Sequence, residues 1–192
     1  MREATIERNT KETKIKATLN LDGGSVEVKT GIGFFDHMLN AFAYHAGFGL
    51  KLDVIGDLEV DTHHTAEDTG IVLGTAFKEA LGSFSGIERY GFFSLPMDDA
   101  LANVSLDISN RPFLVFNAKF YQELCGDFET AVCEEFWRAF AMNSGITLHI
   151  NVPYGNNAHH QIEAIFKAVA HALKIALGPN EDGSTLSTKG VL

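Results

Sequence analysis

The sequence predicts an α+β fold of two duplicated halves, and two observations carry this prediction. The motif HHxxE occurs at residues 63–67 and again at 159–163, which is 96 positions later (159 − 63). Strand-like and helix-like segments also follow each other in the same order, ββ(β)αβα, in both parts of the chain. We therefore expect two halves, 1–91 and 92–192, that form one compact catalytic unit. Each half should have a small mixed sheet with helices on one face, and the helices should pack between the sheets.

The elements of the first half follow from its pattern of apolar residues. They are strands at 15–21, 26–29 and 50–54 and helices over 35–46 and 63–81. The turn Asp22-Gly23-Gly24 joins the first two strands, which predicts a hairpin. Thr62 is expected to cap the long helix, and Gly82 is expected to end it.

The second half repeats this series of elements. Its predicted elements are strands at 97–107, 113–120 and 146–152 and helices over 129–142 and 159–177. At the offset of 96, AFKEALG at 76–82 lies over ALKIALG at 172–178, which supports the duplication.

Composition excludes several classes of protein. The 192 residues are 45% hydrophobic, which is enough for a buried core, and the net charge of −10 disfavours nucleic-acid binding. No apolar run reaches the ~18 residues of a membrane span, and the first residues lack the apolar core of a signal peptide. We therefore expect a cytoplasmic protein that binds neither nucleic acid nor membrane.

The repeated HHxxE motif predicts a metal site. Residues three and four apart share one face of a helix, so Glu67 lies beside His63 and His64, and Glu163 lies beside the second pair. Adjacent histidines diverge by about 100°, so each pair can serve two ions. Imidazole and carboxylate donors together suit Zn, Fe, Ni or Mn.

The shorter helix of each half supplies a further candidate ligand. His37 corresponds to Glu135 at an offset of 98 (135 − 37), and both side chains can bind metal. The full set of candidate ligands is His37, His63, His64, Glu67, Glu135, His159, His160 and Glu163.

Several segments resemble the imidazoleglycerol-phosphate dehydratase family. They are GIGFFDHML at 31–39, DTHHTAEDTG at 61–70, DISNRP at 107–112, the second HHxxE motif and STKG at 187–190. The resemblance implies a ribosomal-protein-S5-domain-2-like duplicated fold and two manganese ions, in sites between subunits of an octahedral shell. It also implies dehydration of D-erythro-imidazoleglycerol phosphate to imidazoleacetol phosphate in histidine biosynthesis. Two positions depart from the family, which often has His where this chain has Glu135 and commonly has Gln where it has Ala41.

The implied reaction explains why two metal ions and a carboxylate are needed. The proton to be removed lies beside no carbonyl group, so the imidazole ring has to supply electrons for loss of the hydroxyl. Two cations at the ring nitrogens would stabilise the imidazolate form by lowering the N–H pKa. A carboxylate must move the protons, and the resemblance assigns this role to Glu12 in RNTKET at 8–13, with Glu163 as a second candidate.

Cationic donors are expected to bind the substrate phosphate. By resemblance, the phosphate-binding residues are Arg89, Arg111, Lys167, Ser187 and Lys189. Two alternative functions remain at this point. A dinuclear-metal hydrolase of a phosphorylated small molecule would use the same ligands, and a non-enzymatic metal-binding module would leave the cationic set unexplained.

Overall fold

The first half of the chain forms a four-stranded mixed sheet. Its strands are β1 (Glu3–Asn9), β2 (Thr13–Asn20), β3 (Val26–Lys29) and β4 (Gly49–Gly56). They lie in the order β1-β2-β4-β3, with β3 parallel to β4 and the other pairs antiparallel. The structure, a computed structural model, describes residues 2–181 and 183–190. The outer ends of the two predicted halves, Met1 and Leu192, therefore lie outside the described residues.

The second half repeats the same topology. Its strands are β5 (Tyr90–Met97), β6 (Ala100–Ile108), β7 (Phe113–Asn117), β8 (Leu124–Cys125), β9 (Phe128–Glu129) and β10 (Ile146–Tyr154). Four of them form a sheet in the order β5-β6-β10-β7, again with one parallel pair, β7 and β10. β8 and β9 form a separate two-stranded sheet. The matching strand orders agree with the predicted duplicated α+β fold.

The predicted hairpin of β2 and β3 is wrong. The chain does turn after β2, at Leu21 and Asp22, and Gly23 and Gly24 follow with φ values of 112° and 143°. The chain then crosses to the far edge, because β4 takes the position beside β2 and pairs Leu52 with the buried Ala17. The turn sets the local direction, whereas burial of apolar residues on both strands determines which strand pairs with β2.

Four helices fill the space between the two sheets. They are α1 (Gly33–Ala46), α2 (His63–Leu81), α3 (Val132–Ser144) and α4 (Ala158–Ala176). α2 lies on β1 and β2 and packs against α3, while α4 lies on β5 and β6 and packs against α1. Each helix that covers one sheet thus packs against a helix of the other half. In the part of the chain that the structure describes, no helix has the length and apolarity to cross a membrane.

The start of α2 differs from the prediction in one respect. The helix runs over His63–Leu81 and ends at Gly82, as expected. The side chain of Thr62 does not cap it, however, because its hydroxyl donates to the carboxylate of Glu129 at 2.8 Å. The helix start is therefore tied to a residue from the other half.

Close packing of α2 against α3 depends on two glycines. A Cβ atom at Gly70 would lie 2.5 Å from the carbonyl oxygen of Phe136, and one at Gly74 would lie 2.6 Å from that of Phe140. The buried ring of Trp137 fills the centre with its aromatic neighbours. One apolar core consequently runs through both halves and holds the helices that carry the candidate ligands.

Candidate active site

Three predicted metal ligands meet where α1 packs against α4. The distance from His159 Nε2 to Glu163 Oε2 is 3.1 Å, and that from His37 Nε2 to the same oxygen is 3.9 Å. One donor atom from each of these side chains lies within 4.8 Å of the others. The group joins the two halves, since His37 comes from the first and the other two residues come from the second. Imidazole and carboxylate donors at this separation suit a divalent transition-metal ion.

Glu163 is the buried centre of this group. Its side chain is 8% exposed, and Lys167 Nζ lies 2.6 Å from its Oε1. Burial would raise the pKa of Glu163, but the hydrogen bond and charge of Lys167, with contributions from His159 and His37, outweigh burial and lower it. The carboxylate is therefore kept ionised, which is the form that binds a metal ion.

The first half has a looser version of the same arrangement. His63 Nε2 lies 3.6 Å from Glu67 Oε2, and both side chains are nearly half exposed. Glu135, the counterpart of His37, accepts a hydrogen bond from Arg138 Nε at 3.3 Å. Within residues 2–181 and 183–190, only the group around His37 brings three or more potential donors together. The role of Glu135 as a ligand stays a prediction.

Carboxylates orient the second histidine of each pair. His64 Nδ1 lies 2.9 Å from Asp57, and His160 Nδ1 lies 2.7 Å from Asp99. The hydrogen bond to Asp57 raises the pKa of His64, while His160 lowers the pKa of Asp99 to about 2. Histidine ligands commonly donate their second nitrogen to a carboxylate in this way, which leaves Nε2 of His64 for a metal ion. Nε2 of His160 lies 3.4 Å from Asp98 Oδ2. The sequence analysis missed Asp57 and Asp99, because the repeat offset places Pro153 over Asp57 (57 + 96).

The turn that carries Glu12 is fixed against α2. Glu12 is exposed, and its negative charge adds to the carboxylate hydrogen bond that raises the pKa of His64. Arg8 donates from Nε and Nη2 to Asp68 at 3.2 and 3.1 Å, and the hydroxyl of Thr13 donates to the other oxygen of the same carboxylate. The turn between β1 and β2 is thus anchored one helical turn beyond His64.

Four of the five predicted phosphate-binding residues line one cavity of about 740 Å³: Arg89, Arg111, Ser187 and Lys189. Asp107 accepts hydrogen bonds from Arg89 at 2.7 and 3.1 Å and from Arg111 at 3.3 Å. The hydrogen bond to Asp107 raises the pKa of Arg89, which is buried. Arg89 is therefore a fixed charge in the cavity wall, whereas Arg111 and Lys189 are exposed. The fifth residue, Lys167, lies beside Glu163 instead.

The fold and these side chains define an α+β enzyme of duplicated topology, with a candidate metal site and a cationic cavity. The family model described as imidazoleglycerol-phosphate dehydratase matches residues 30–173. The chain belongs to the imidazoleglycerol-phosphate dehydratase family.

Full-length relatives and solved structures agree with this assignment. The imidazoleglycerol-phosphate dehydratase of Caldanaerobacter subterraneus subsp. tengcongensis is 56% identical over 195 residues, covering 100% of both chains. That of Azorhizobium caulinodans is 53% identical over 195 residues, covering 100% of this chain and 99% of the relative. The crystal structure of the Staphylococcus aureus subsp. aureus N315 dehydratase has a TM-score of 0.85 at 40% identity, covering 93% of this chain and 99% of that one. The Pyrococcus furiosus enzyme in complex with (S)-C348 has a TM-score of 0.85 at 38% identity, covering 97% and 100%.

Family membership confirms the predicted hydro-lyase, its dehydration reaction and its step in histidine biosynthesis. It also confirms a small-molecule substrate. The two alternatives, a dinuclear-metal hydrolase and a non-enzymatic metal-binding module, are set aside because the relatives are dehydratases.

Proposed function

We propose that the chain dehydrates D-erythro-imidazoleglycerol phosphate to imidazoleacetol phosphate with the help of two divalent ions, which we expect to be manganese. The observation that carries this proposal is the group of His37, His159 and Glu163, whose donor atoms lie close enough together to hold one ion. In this proposal the two halves, 1–91 and 92–192, act as one catalytic unit.

The second ion would be held by the first-half residues. His63 and Glu67 repeat the pairing of His159 and Glu163, and the sequence duplication supports an equivalent role. His64 and His160 would add ligands through Nε2, since a carboxylate faces Nδ1 in each case. Glu135, which comes from the second half, would complete this set. Bound metal supplies positive charge at the imidazole ring of the substrate and so favours loss of its N–H proton.

The cationic cavity would bind the phosphate. Arg111 and Lys189 are exposed cations that can donate to phosphate oxygens, and the hydroxyl of Ser187 adds an uncharged donor. Arg89 would contribute a fixed charge, because Asp107 holds its guanidinium in place. Lys167 does not line this cavity, and it would contact the substrate phosphate from its position next to Glu163.

Two carboxylates would move the protons. The exposed Glu12 carboxylate is held on an anchored turn near His64, so it can exchange a proton with a bound substrate without a large rearrangement. Glu163 is kept ionised by Lys167, so its carboxylate is in the deprotonated form that a proton acceptor needs, although its lowered pKa makes it the weaker base. In this assignment Glu12 is the principal acid and base.

We also propose a cytoplasmic, octahedral assembly with sites between subunits, which rests on the family resemblance. Several large apolar residues, among them Tyr44, Val60 and Phe92, are between 61% and 78% exposed and would be available for contacts between subunits.

Metal dependence of turnover tests the proposal. Protein stripped with a chelator should lose dehydration of imidazoleglycerol phosphate, and manganese should restore it better than zinc or magnesium. Undiminished turnover by the stripped protein would contradict the metal-assisted mechanism. Tight metal binding without restored dehydration would retain the metal site and overturn its assigned role in the reaction.

A further inference from the structure

The two halves differ in the connection that precedes their shorter helix. Three residues, 30–32, lie between β3 and α1, whereas fourteen residues, 118–131, lie between β7 and α3. The longer connection, which we name the 118–131 segment, contains the β8 and β9 strands. It has no counterpart in the first half, and the sequence motifs assign it no function.

The 118–131 segment contacts the N-termini of α1 and α2 through carboxylates. Asp127 accepts hydrogen bonds from the backbone N–H groups of Gly33 at 3.0 Å and Phe34 at 3.4 Å. Glu129 accepts from the Thr62 hydroxyl at 2.8 Å and from its backbone N–H at 3.4 Å. The first N–H groups of a helix have no partner within the helix, so a carboxylate there supplies acceptors and a favourable charge.

The same segment contacts the N-terminus of α4 through an amide. Gln122 Oε1 accepts from the backbone N–H of Ala158 at 2.7 Å, and its Nε2 donates to the carbonyl oxygen of Asn156 at 3.0 Å. One turn further along α4, Gln161 Nε2 donates to the carbonyl oxygen of Lys119 at 3.2 Å. The connection therefore reaches three helices that lie far from it in sequence.

These three helix starts carry most of the candidate ligands. Gly33 lies one turn before His37, Thr62 directly precedes the first histidine pair, and Ala158 directly precedes the second. An aromatic contact adds to the hydrogen bonds, because the buried Phe128 of the segment packs on Phe34 with ring centroids 5.7 Å apart. The Phe34 ring in turn meets the ring of His159 edge-on at 5.0 Å.

We propose that the 118–131 segment is a positioning element for the metal centre, in which Asp127, Glu129 and Gln122 set the relative placement of the ligand-bearing helix starts. This inference rests on the proposed function, since it takes the histidines as ligands. Metal donors must be held to within about 0.5 Å of their working geometry, and separate helices need a common support to meet that tolerance.

Measurement of metal affinity distinguishes a role of the 118–131 segment in positioning the ligands from a role in stabilising the fold alone. Asp127→Ala and Glu129→Ala should each weaken Mn²⁺ binding about tenfold, as is usual when the groups that orient ligands are removed. Asp127→Asn and Glu129→Gln keep an acceptor oxygen and should recover most of the affinity. Asp22→Ala is the matched control, because Asp22 also accepts a backbone N–H, from Arg2 at 2.8 Å, but lies outside the segment. Binding is measured by titrating the full chain with Mn²⁺ and following free ion by electron paramagnetic resonance.

The Mn²⁺ affinities of these variants show whether the 118–131 segment positions the metal ligands. Weakened binding in the folded alanine variants, recovery in the conservative variants and wild-type affinity in Asp22→Ala support the inference. Wild-type affinity in folded Asp127→Ala and Glu129→Ala overturns it and leaves the proposed function intact. If those variants do not fold, Gln122→Met provides the test, because Gln122 is exposed and its loss should also weaken Mn²⁺ binding about tenfold. Absence of Mn²⁺ binding by the wild-type chain would overturn the proposed metal site together with this inference.

Discussion

The two oxygens of Glu163 face different partners, with Oε1 at 2.6 Å from Lys167 Nζ and Oε2 at 3.1 Å from His159 Nε2. One carboxylate thus joins a lysine to the candidate metal ligands. Because Glu163 is nearly inaccessible to water, the lysine is its main source of charge compensation when no ion is bound.

Removal of this lysine should destabilise the metal-free protein. In Lys167→Met the buried Glu163 carboxylate loses its charged hydrogen-bond donor, so the free energy of unfolding should fall by about 2 kcal/mol. Urea denaturation of chelator-treated protein measures the change. Lys174→Met is the control, since Lys174 lies on the same helix but is exposed. An equal loss of stability in the two variants would contradict a special role for the Lys167 contact.

Loss of one histidine of a pair should abolish metal-dependent turnover. His64→Ala and His160→Ala each remove a candidate ligand, and both should bind Mn²⁺ weakly and dehydrate no substrate. A competition assay with a chelator, run beside the turnover assay, checks both effects. His149→Ala, at an exposed position on β10, should keep wild-type turnover. Full activity in either pair variant would refute the two-ion arrangement.

Substitution in the cationic cavity should affect substrate binding. Arg111→Ala removes an exposed guanidinium, and loss of one charged hydrogen bond to phosphate should raise KM roughly tenfold or more. The value of kcat should change little, because the phosphate lies away from the bonds that break. Steady-state kinetics give both constants, with the exposed Lys51→Ala as the control. A selective loss of kcat would place Arg111 nearer the reacting atoms than proposed.

Because α2 packs closely on α3, one methyl group added at Gly70 should lower the free energy of unfolding. In Gly70→Ala the added Cβ would meet the Phe136 carbonyl oxygen at 2.5 Å, so the helices must separate. We expect the free energy of unfolding to fall by about 1–3 kcal/mol, although alanine normally stabilises a helix relative to glycine. Thermal and urea unfolding measure it. Gly33→Ala, where the nearest atom lies at 3.9 Å, should cost much less.

His171 should make stability depend on pH. Burial and the charge of Lys174 lower its pKa below the ordinary value of 6.5, and its ring stacks on Phe93 and faces His45, whose pKa is also lowered by burial and by His171. The unfolded chain therefore takes up protons before the folded chain does, so the stability contribution is present above pH 6.5 and decreases as the pH falls below it.

Urea unfolding from pH 7.5 to pH 5 checks this expectation. His171→Gln should show a shallower loss of stability on acidification than the wild-type protein, while the exposed control His149→Gln should match the wild type. Identical pH profiles for His171→Gln and the wild type would rule out this contribution.

Local patterns predicted the helices better than the sheets. The limits of α2 agree with the expected 63–81, because a repeated motif marks its start and Gly82 marks its end. The order of strands was not predictable in the same way. β4 lies between β2 and β3 because it pairs with β2, whose residues are about 35 positions earlier in the chain. The residues of a turn do not indicate such a distant pairing.

For the candidate site, too, the sequence predicted individual residues but not how they meet in the fold. Comparison of the halves identified His37, His159 and Glu163, but it compared equivalent positions and so did not reveal that they meet across the α1 and α4 contact. Asp57 and Asp99 were not predicted because neither lies in the HHxxE motif: Asp57 follows β4, and Asp99 lies in the turn between β5 and β6. Helix spacing describes one face of one helix, whereas these contacts depend on tertiary packing.

The donor group that α1 and α4 build together has a consequence for the history of the chain. His37 is encoded in the first half, and its two companions are encoded in the second, so neither half alone encodes a complete set. A one-half ancestor could form such a group only by pairing with another copy of itself. Fusion of two such copies would make that association covalent and would leave each half free to diverge, and His37 and Glu135 do differ at equivalent positions. Separately expressed halves should therefore recover the group only by fragment complementation.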